Sequence, residues 1–392
     1  MKRSIKDRNA RIAYYIFFLS MIGIKALGFS SNNTIFKVVF VISLAFLALK
    51  IFYTEYKPYE LAAIITLVLL SMIGFIRAKE QTFFLAALSI AGMKGINFKD
   101  LCKKTFWVHS IGSFVAVIGS MMGYFPDYVR VINEMTGEAY HTYGYSDYNV
   151  LFVNMFIISI LLIYIRYEKL GILEFIFTNM LMYWTYTATH SRTGYLLFFG
   201  TWFLIILDKF VLKEKAKRKL YSIYTLAPLI MVVLSFVLPY LFELYGKTKI
   251  MYEINHMLTG RIFIMNYYLK LYPFTWFGNT YEFWLNNAGE ILEIVDNLYV
   301  TIYLYSGVVM LILYVAGAFC LLRKLYNRKY DIELILFAIL CIYAFMEEFP
   351  LNPTVNPFAV LLAWLIFDGN LVRGDDCEES SDNNQHTVSV QS

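Results

Sequence analysis

The chain is poor in charge for its length. Asp, Glu, Lys and Arg make up 16% of its 392 residues, against roughly 25% in an ordinary soluble domain. A net charge of +5, scattered along the chain, is too small to mark a nucleic-acid-binding protein. There are only four cysteines, Cys102, Cys320, Cys341 and Cys377. They fall in apolar runs or in segments assigned below to the cytoplasm, so neither a disulfide framework nor a CxxC metal site is expected. The motifs of soluble enzymes are missing as well: there is no HExxH, GxSxG or GxGxxG. Gly246-Lys247-Thr248 resembles the end of a P-loop, but Leu241 stands where the first glycine is needed. No set of Asp, His or Cys has metal-ligand spacing, so no metal and no cofactor is expected.

What the chain has in abundance is apolar surface. Apolar residues make up 59% of it, more than a soluble core can hide, so the solvent that fits this chain is lipid. Long apolar runs predict an all-α polytopic membrane protein with about twelve transmembrane helices. Their limits are near 12–29, 33–53, 59–76, 81–97, 105–124, 147–165, 170–189, 193–212, 221–242, 297–322, 332–349 and 354–370. The first run follows a basic stretch like that of a signal peptide. It lacks a small-residue cleavage site and reads as an uncleaved anchor.

Lys and Arg set the orientation. With the N-terminus inside, most of the 34 basic residues fall on the cytoplasmic side. They cluster at Lys213, Lys215, Lys217, Arg218 and Lys219, at Arg323, Lys324, Arg328 and Lys329, and at Lys99, Lys103 and Lys104. Both termini are then cytoplasmic. Residues 1–372 form one transmembrane domain, and 373–392, acidic and rich in Ser and Asn, form a disordered tail. Two outside segments exceed simple turns: 125–146, and a large extracytoplasmic loop at about 243–296. The second contains a predicted helix from Arg261 to Leu271, with Thr259 as its N-cap and Pro273 after its end. Long ordered loops commonly carry function.

The chemistry-bearing candidates are the few polar groups on that outer side. Arg192 sits in the short loop Thr189-His190-Ser191-Arg192-Thr193-Gly194, Arg261 follows Leu258-Thr259-Gly260, and Arg130 lies in the first long loop. Outward arginines often only snorkel to lipid phosphates. Arg192, however, is flanked by hydroxyls and a glycine, and guanidinium is suited to gripping phosphate by paired hydrogen bonds. Gly260-Arg261 at a helix start adds backbone N–H groups and the positive dipole end. Two such elements facing one hollow would hold a diphosphate. Asp296-Asn297 borders the tenth run; it could accept a proton or simply cap the helix. His256 and His190 also face outside, as a candidate base or as incidental surface histidines. Trp276 belongs to an aromatic crowd, Tyr272 to Trp284, that suits either sugar faces or lipid headgroups. His109 has no partner visible in sequence.

In this order, Gly144-Tyr145-Ser146-Asp147-Tyr148-Asn149, Ser191-Arg192-Thr193-Gly194, Leu258-Thr259-Gly260-Arg261 and Asp296-Asn297-Leu298-Tyr299 with Gly307 resemble the bacterial polysaccharide polymerases of the Wzy type and the related O-antigen ligases. The resemblance covers the organisation of most of the chain, though each piece is short. It implies a metal-independent glycosyltransferase of the bacterial cytoplasmic membrane. Such an enzyme joins oligosaccharide repeat units carried on undecaprenyl diphosphate into O-antigen, capsule or exopolysaccharide. Arg192, Arg261 and Arg130 would hold the donor's diphosphate, and Asp296 or His256 would act as base. Asn149, Asn297, Tyr299, His190 and Trp276 would line the substrate site. The ligases often have a histidine where this chain has Asp296. Implied partners are the lipid-linked oligosaccharide, the bilayer, and the flippase and chain-length regulator of the same pathway; no nucleic acid is implied. Two alternatives stay open, a ligase-type glycan transferase and a lipid-linked oligosaccharide flippase. A transporter would place charges or broken helices near the bilayer midplane, whereas the candidates here gather outside.

Overall fold

The computed structural model describes residues 2–31, 33–133, 138–280 and 295–367. The expected tail, and the aromatics Tyr281, Phe283 and Trp284, lie outside the described residues. Five helices come first: α1 (Lys2–Ala26), α2 (Thr34–Tyr53), α3 (Pro58–Ala78), α4 (Thr82–Gly92) and α5 (Phe98–Met121). A short antiparallel hairpin follows, β1 (Arg130–Asn133) with β2 (Glu138–Tyr140). Then come α6 (Tyr148–Arg166), α7 (Ile172–Thr189), α8 (Arg192–Ile206), α9 (Glu214–Tyr224), α10 (Ala227–Tyr245), α11 (Lys249–Met257), α12 (Arg261–Leu271), α13 (Leu298–Asn327) and α14 (Asp331–Tyr343). The last described element is a 3₁₀ segment, Pro357–Leu365.

Among the described residues, six helices are long and apolar enough to cross a membrane. Each of the twelve predicted runs contains helix, but α4 and α14 are short and the last run is 3₁₀. Apolar side chains such as Val41, Leu69, Met180 and Val233 point outward from α2, α3, α7 and α10, a surface no aqueous solvent would favour. The helix α6 is the opposite case. Thirteen of its residues are buried, and it is the axis of the larger core, with Phe152, Phe156 and Leu161 packed against Phe198, Leu336 and Phe358. His109 of α5 finds its partner here, 2.6 Å from Asn154.

The second core joins α10, α12 and α13. The helix α12 has the limits its sequence predicts, and it runs alongside α10 in the same direction. Asn266 donates to the Pro239 carbonyl at 2.9 Å, and one turn later Lys270 lies 2.9 Å from Glu243. The helix α13 is not one rod. Gly307 interrupts it with φ 80° and ψ −179°, and the rings of Tyr299 and Tyr314 lie 5.9 Å apart. Fifteen residues of continuous helix would separate them by about 22 Å, so the two halves fold back on each other. Residues 275–279 bind the freed backbone at the turn. The Val308 N–H donates to the Thr275 carbonyl, and the Asn279 N–H to the Leu304 carbonyl. A Cβ on Gly307 would meet the Trp276 carbonyl at 2.4 Å. The predicted run at 297–322 is thus a hairpin, of which residues 308–327 keep the length of a span.

Candidate functional site

One carboxylate ties Asp127 to residues 141–143 after the hairpin. Asp127 accepts from the backbone N–H groups of Thr142 at 2.8 Å and Tyr143 at 3.0 Å, and lies 2.7 Å from His141 Nδ1. Partial burial works against its charge, but the His141 and backbone hydrogen bonds prevail and hold the carboxyl below the usual range. This clamp fixes the end of the hairpin, and the His141 N–H ties it to the end of α7 through the Ala188 carbonyl at 2.9 Å.

Next to it, a cavity of about 390 Å³ is lined by Tyr140, His190, Arg192, Tyr252, Asn255, His256, Thr259 and Gly260. The volume is in the range of small-ligand sites. Tyr140 stacks on Tyr148 at 4.5 Å and meets the His190 ring edge-on at 5.5 Å. These contacts join the hairpin to the end of α7 and the start of α6. His190 ends α7 in the left-handed region at φ 50°, which turns the chain sharply and leaves Arg192 as the first residue of α8. The Arg192 side chain is exposed, and among the described residues no carboxylate lies within ion-pair distance of it. Ser191 makes no side-chain cap to the first turn of α8. A cation and an uncapped helix start therefore share one wall, the physical elements of an anion site.

On the far wall, Thr259 (φ 53°) and Gly260 (φ 83°) are consecutive left-handed residues between α11 and α12. That conformation is rare for a β-branched residue. Gly260, not Thr259, is the N-cap of α12. The first turn of α12 is already engaged: Arg261 N–H donates to Leu258, and Phe263 N–H donates to Asn255 Oδ1 at 3.0 Å. Its dipole end is thus committed within the protein.

Arg261 itself turns away from the cavity into the bundle. Its Nη2 donates to Glu347 Oε1 at 2.9 Å and to Asp296 Oδ2 at 3.1 Å. Its Nη1 reaches Thr193 Oγ1 at 3.4 Å, which ties α12 to the first turn of α8. Arg192 and Arg261 are thereby neighbours in space, but only the first lines the cavity. Two carboxyl groups thus share one guanidinium beside Arg192.

The other predicted residues divide plainly. His190, His256 and Arg192 line the cavity, and Asp296 is next door, on Arg261. Asn297 and Tyr299 are fully buried. Asn297 caps α13 through Val300 N–H and donates to Ser235 Oγ and the Phe345 carbonyl, both at 2.9 Å. Tyr299 donates to the Cys341 carbonyl at 2.8 Å. The polar groups of both are spent inside the protein, so their expected place on the substrate is replaced by a structural one. Asn149 lies in the first turn of α6, its N–H accepted by the Asp147 cap, and does not line the cavity. Trp276 packs on Phe274 and supplies backbone to the α13 turn, away from the cavity. Arg130 opens β1, paired with Tyr140 in register. Gly194 lets α8 pack closely: a Cβ there would meet Phe152 at 2.3 Å and the Tyr343 hydroxyl at 2.6 Å.

Glu347 is the site residue that sequence reading misses. Its signal was Glu347-Glu348 inside an otherwise apolar run, where an ionisable side chain marks function by default. Among the described residues no three His, Cys, Asp or Glu side chains are placed to share a metal ion, and Cys102, Cys320 and Cys341 are free. No family model, curated protein or solved structure matches this chain.

Proposed function

We propose that this chain is a membrane glycosyltransferase that polymerises undecaprenyl-diphosphate-linked oligosaccharide repeat units at the outer face of the bacterial cytoplasmic membrane, with about twelve spans and both termini cytoplasmic. The observation that carries the proposal is Arg192, exposed and without a carboxylate partner among the described residues, at an uncapped helix start on the wall of a 390 Å³ cavity. That cavity lies at one end of Arg192–Val211, a segment of membrane-crossing length. There a polyprenyl tail can stay in lipid while its diphosphate meets the guanidinium.

In this scheme a hydroxyl of the incoming unit attacks the anomeric carbon of the growing chain. The new C–O bond forms as the bond from that carbon to the diphosphate oxygen breaks. Arg192 and the α8 N–H groups stabilise the departing negative charge. The hydroxyl proton passes to His256, which lines the cavity, or to Asp296, which Arg261 orients. Arg261, clamped by Glu347, acts as a positioning residue rather than as the second diphosphate ligand that sequence suggests.

The test is surface-glycan length in a deletion strain complemented with wild type, Arg192→Ala or Arg261→Ala. A polymerase gives long chains with wild type and single repeat units with Arg192→Ala. Loss of all surface repeat units points to a flippase, and an unligated, full-length lipid-linked glycan points to a ligase.

A further inference from the structure

A second polar cavity, of about 660 Å³, opens at the other end of the bundle. Its rim includes Gly95, just before α5, and α5 rises 24 residues from there to Met121, beside the loop that carries Tyr140. That is about 36 Å of helix, so the two cavities are separate. The lining brings together Arg11 of α1, Lys50 of α2, Lys57 and Lys94, with Asp7 and Glu55 as the opposing acids.

The charges do not balance. Lys94 is neutralised by Glu60 and donates to the Glu55 carbonyl at 2.8 Å. Glu55 has Lys6 at 3.7 Å. Among the described residues, Arg11, Lys50 and Lys57 have no carboxylate within ion-pair distance, and Asp7 is the one acid left to face them. Lys50 is the telling group. It is 2% exposed, and its ammonium, with three hydrogens to donate, has one acceptor among the described residues, the Lys94 carbonyl at 2.6 Å. A buried cation held by a single neutral acceptor is costly unless an anion completes its shell.

We infer that this cavity is a phosphate site, taking the headgroup phosphate of an anionic phospholipid from the leaflet on the N-terminal side. Lys50 forms its floor, and Arg11 and Lys57 close over it from the exposed rim. Basic pockets between transmembrane helices bind anionic headgroups by this logic, and each rim charge adds to the attraction.

The experiment uses the purified full-length chain in neutral detergent. Dioleoylphosphatidylglycerol, dioleoylphosphatidylcholine or inorganic phosphate is added, and binding is read by native mass spectrometry and thermal unfolding. Phosphatidylglycerol is expected to bind and stabilise wild type, and Arg11→Gln/Lys57→Gln to weaken it by about tenfold or more. Lys213→Gln/Lys215→Gln, which removes the same charge from another basic segment, leaves it unchanged. Both pairs are exposed, so folding is preserved; Lys50→Met tests the buried cation where it folds. If inorganic phosphate protects with the same dependence on Arg11 and Lys57, the phosphate site stands and its occupant is soluble phosphate. Equal binding of phosphatidylcholine, or an unchanged Arg11→Gln/Lys57→Gln variant, overturns the proposal.

Discussion

Arg261 and Glu347, 86 positions apart in the chain, meet at 2.9 Å, and Asp296 joins the same guanidinium nitrogen at 3.1 Å. This contact fastens α12 to the segment after α14 and sets where Asp296 points. Removing the arginine strands two partly buried carboxylates. Breaking a buried pair from one side costs about 3–5 kcal/mol, so Arg261→Ala is expected to lower the unfolding midpoint in detergent markedly. Glu347→Gln leaves the arginine with Asp296 and is expected to cost less. Equal, negligible losses in both would remove the clamp from the scheme.

Arg192 separates binding from stability. Its side chain is exposed and without an ion pair among the described residues. Arg192→Ala is therefore expected to leave thermal stability within about 0.5 kcal/mol of wild type while abolishing glycan elongation. Arg192→Lys keeps the charge but loses the two-pronged grip, and should retain part of the activity. A parallel loss of folding in Arg192→Ala contradicts this separation.

Gly307 is expected to tolerate no side chain. Its φ of 80° is strained for any other residue, and a Cβ would meet Gly278 N and the Trp276 carbonyl, each at 2.4 Å. Gly307→Ala should destabilise by at least about 1–3 kcal/mol, or force residues 275–279 off α13. Cross-linking between cysteines introduced at Thr275 and Val308 detects the second outcome. A variant as stable as wild type with undiminished cross-linking would falsify the hairpin.

The clamp on Asp127 gives a pH signature. Its carboxyl is held below the ordinary range by His141 and two backbone N–H groups. A depressed folded value means the contribution is complete above the unfolded value, near 4, and fades as pH falls through the folded one. Wild type should thus lose stability relative to Asp127→Asn on acidification below about pH 4. Parallel pH curves for the two proteins would show that the clamp contributes nothing.

The helical class and the limits of α12 were legible in the sequence, because apolar periodicity and Pro273 are local signals; the helices α9 and α11, in a basic cluster and an outer loop, were not. The fold-back at Gly307 was not. A glycine in an apolar run reads as a tolerated helical residue until residues 275–279 are known to bind its freed backbone. The site split the same way. Arg192, His190 and His256 stood out as polar groups in outer loops, and all three line the cavity. Arg261 was visible as a residue, but its partner Glu347 was hidden in a stretch read as span. Asn297 and Tyr299 looked like site residues because they adjoin Asp296, yet on a helix start the neighbouring side chains point into the core.

In the proposed reaction the exposed Arg192 guanidinium receives the diphosphate leaving group. Purified protein, reconstituted with lipid-linked repeat units isolated from the deletion strain, allows released polyprenyl diphosphate to be counted against chain growth. One diphosphate per added repeat unit with wild type, and neither release nor growth with a folded Arg192→Ala, is the expected result. Elongation by Arg192→Ala at the wild-type rate would contradict it.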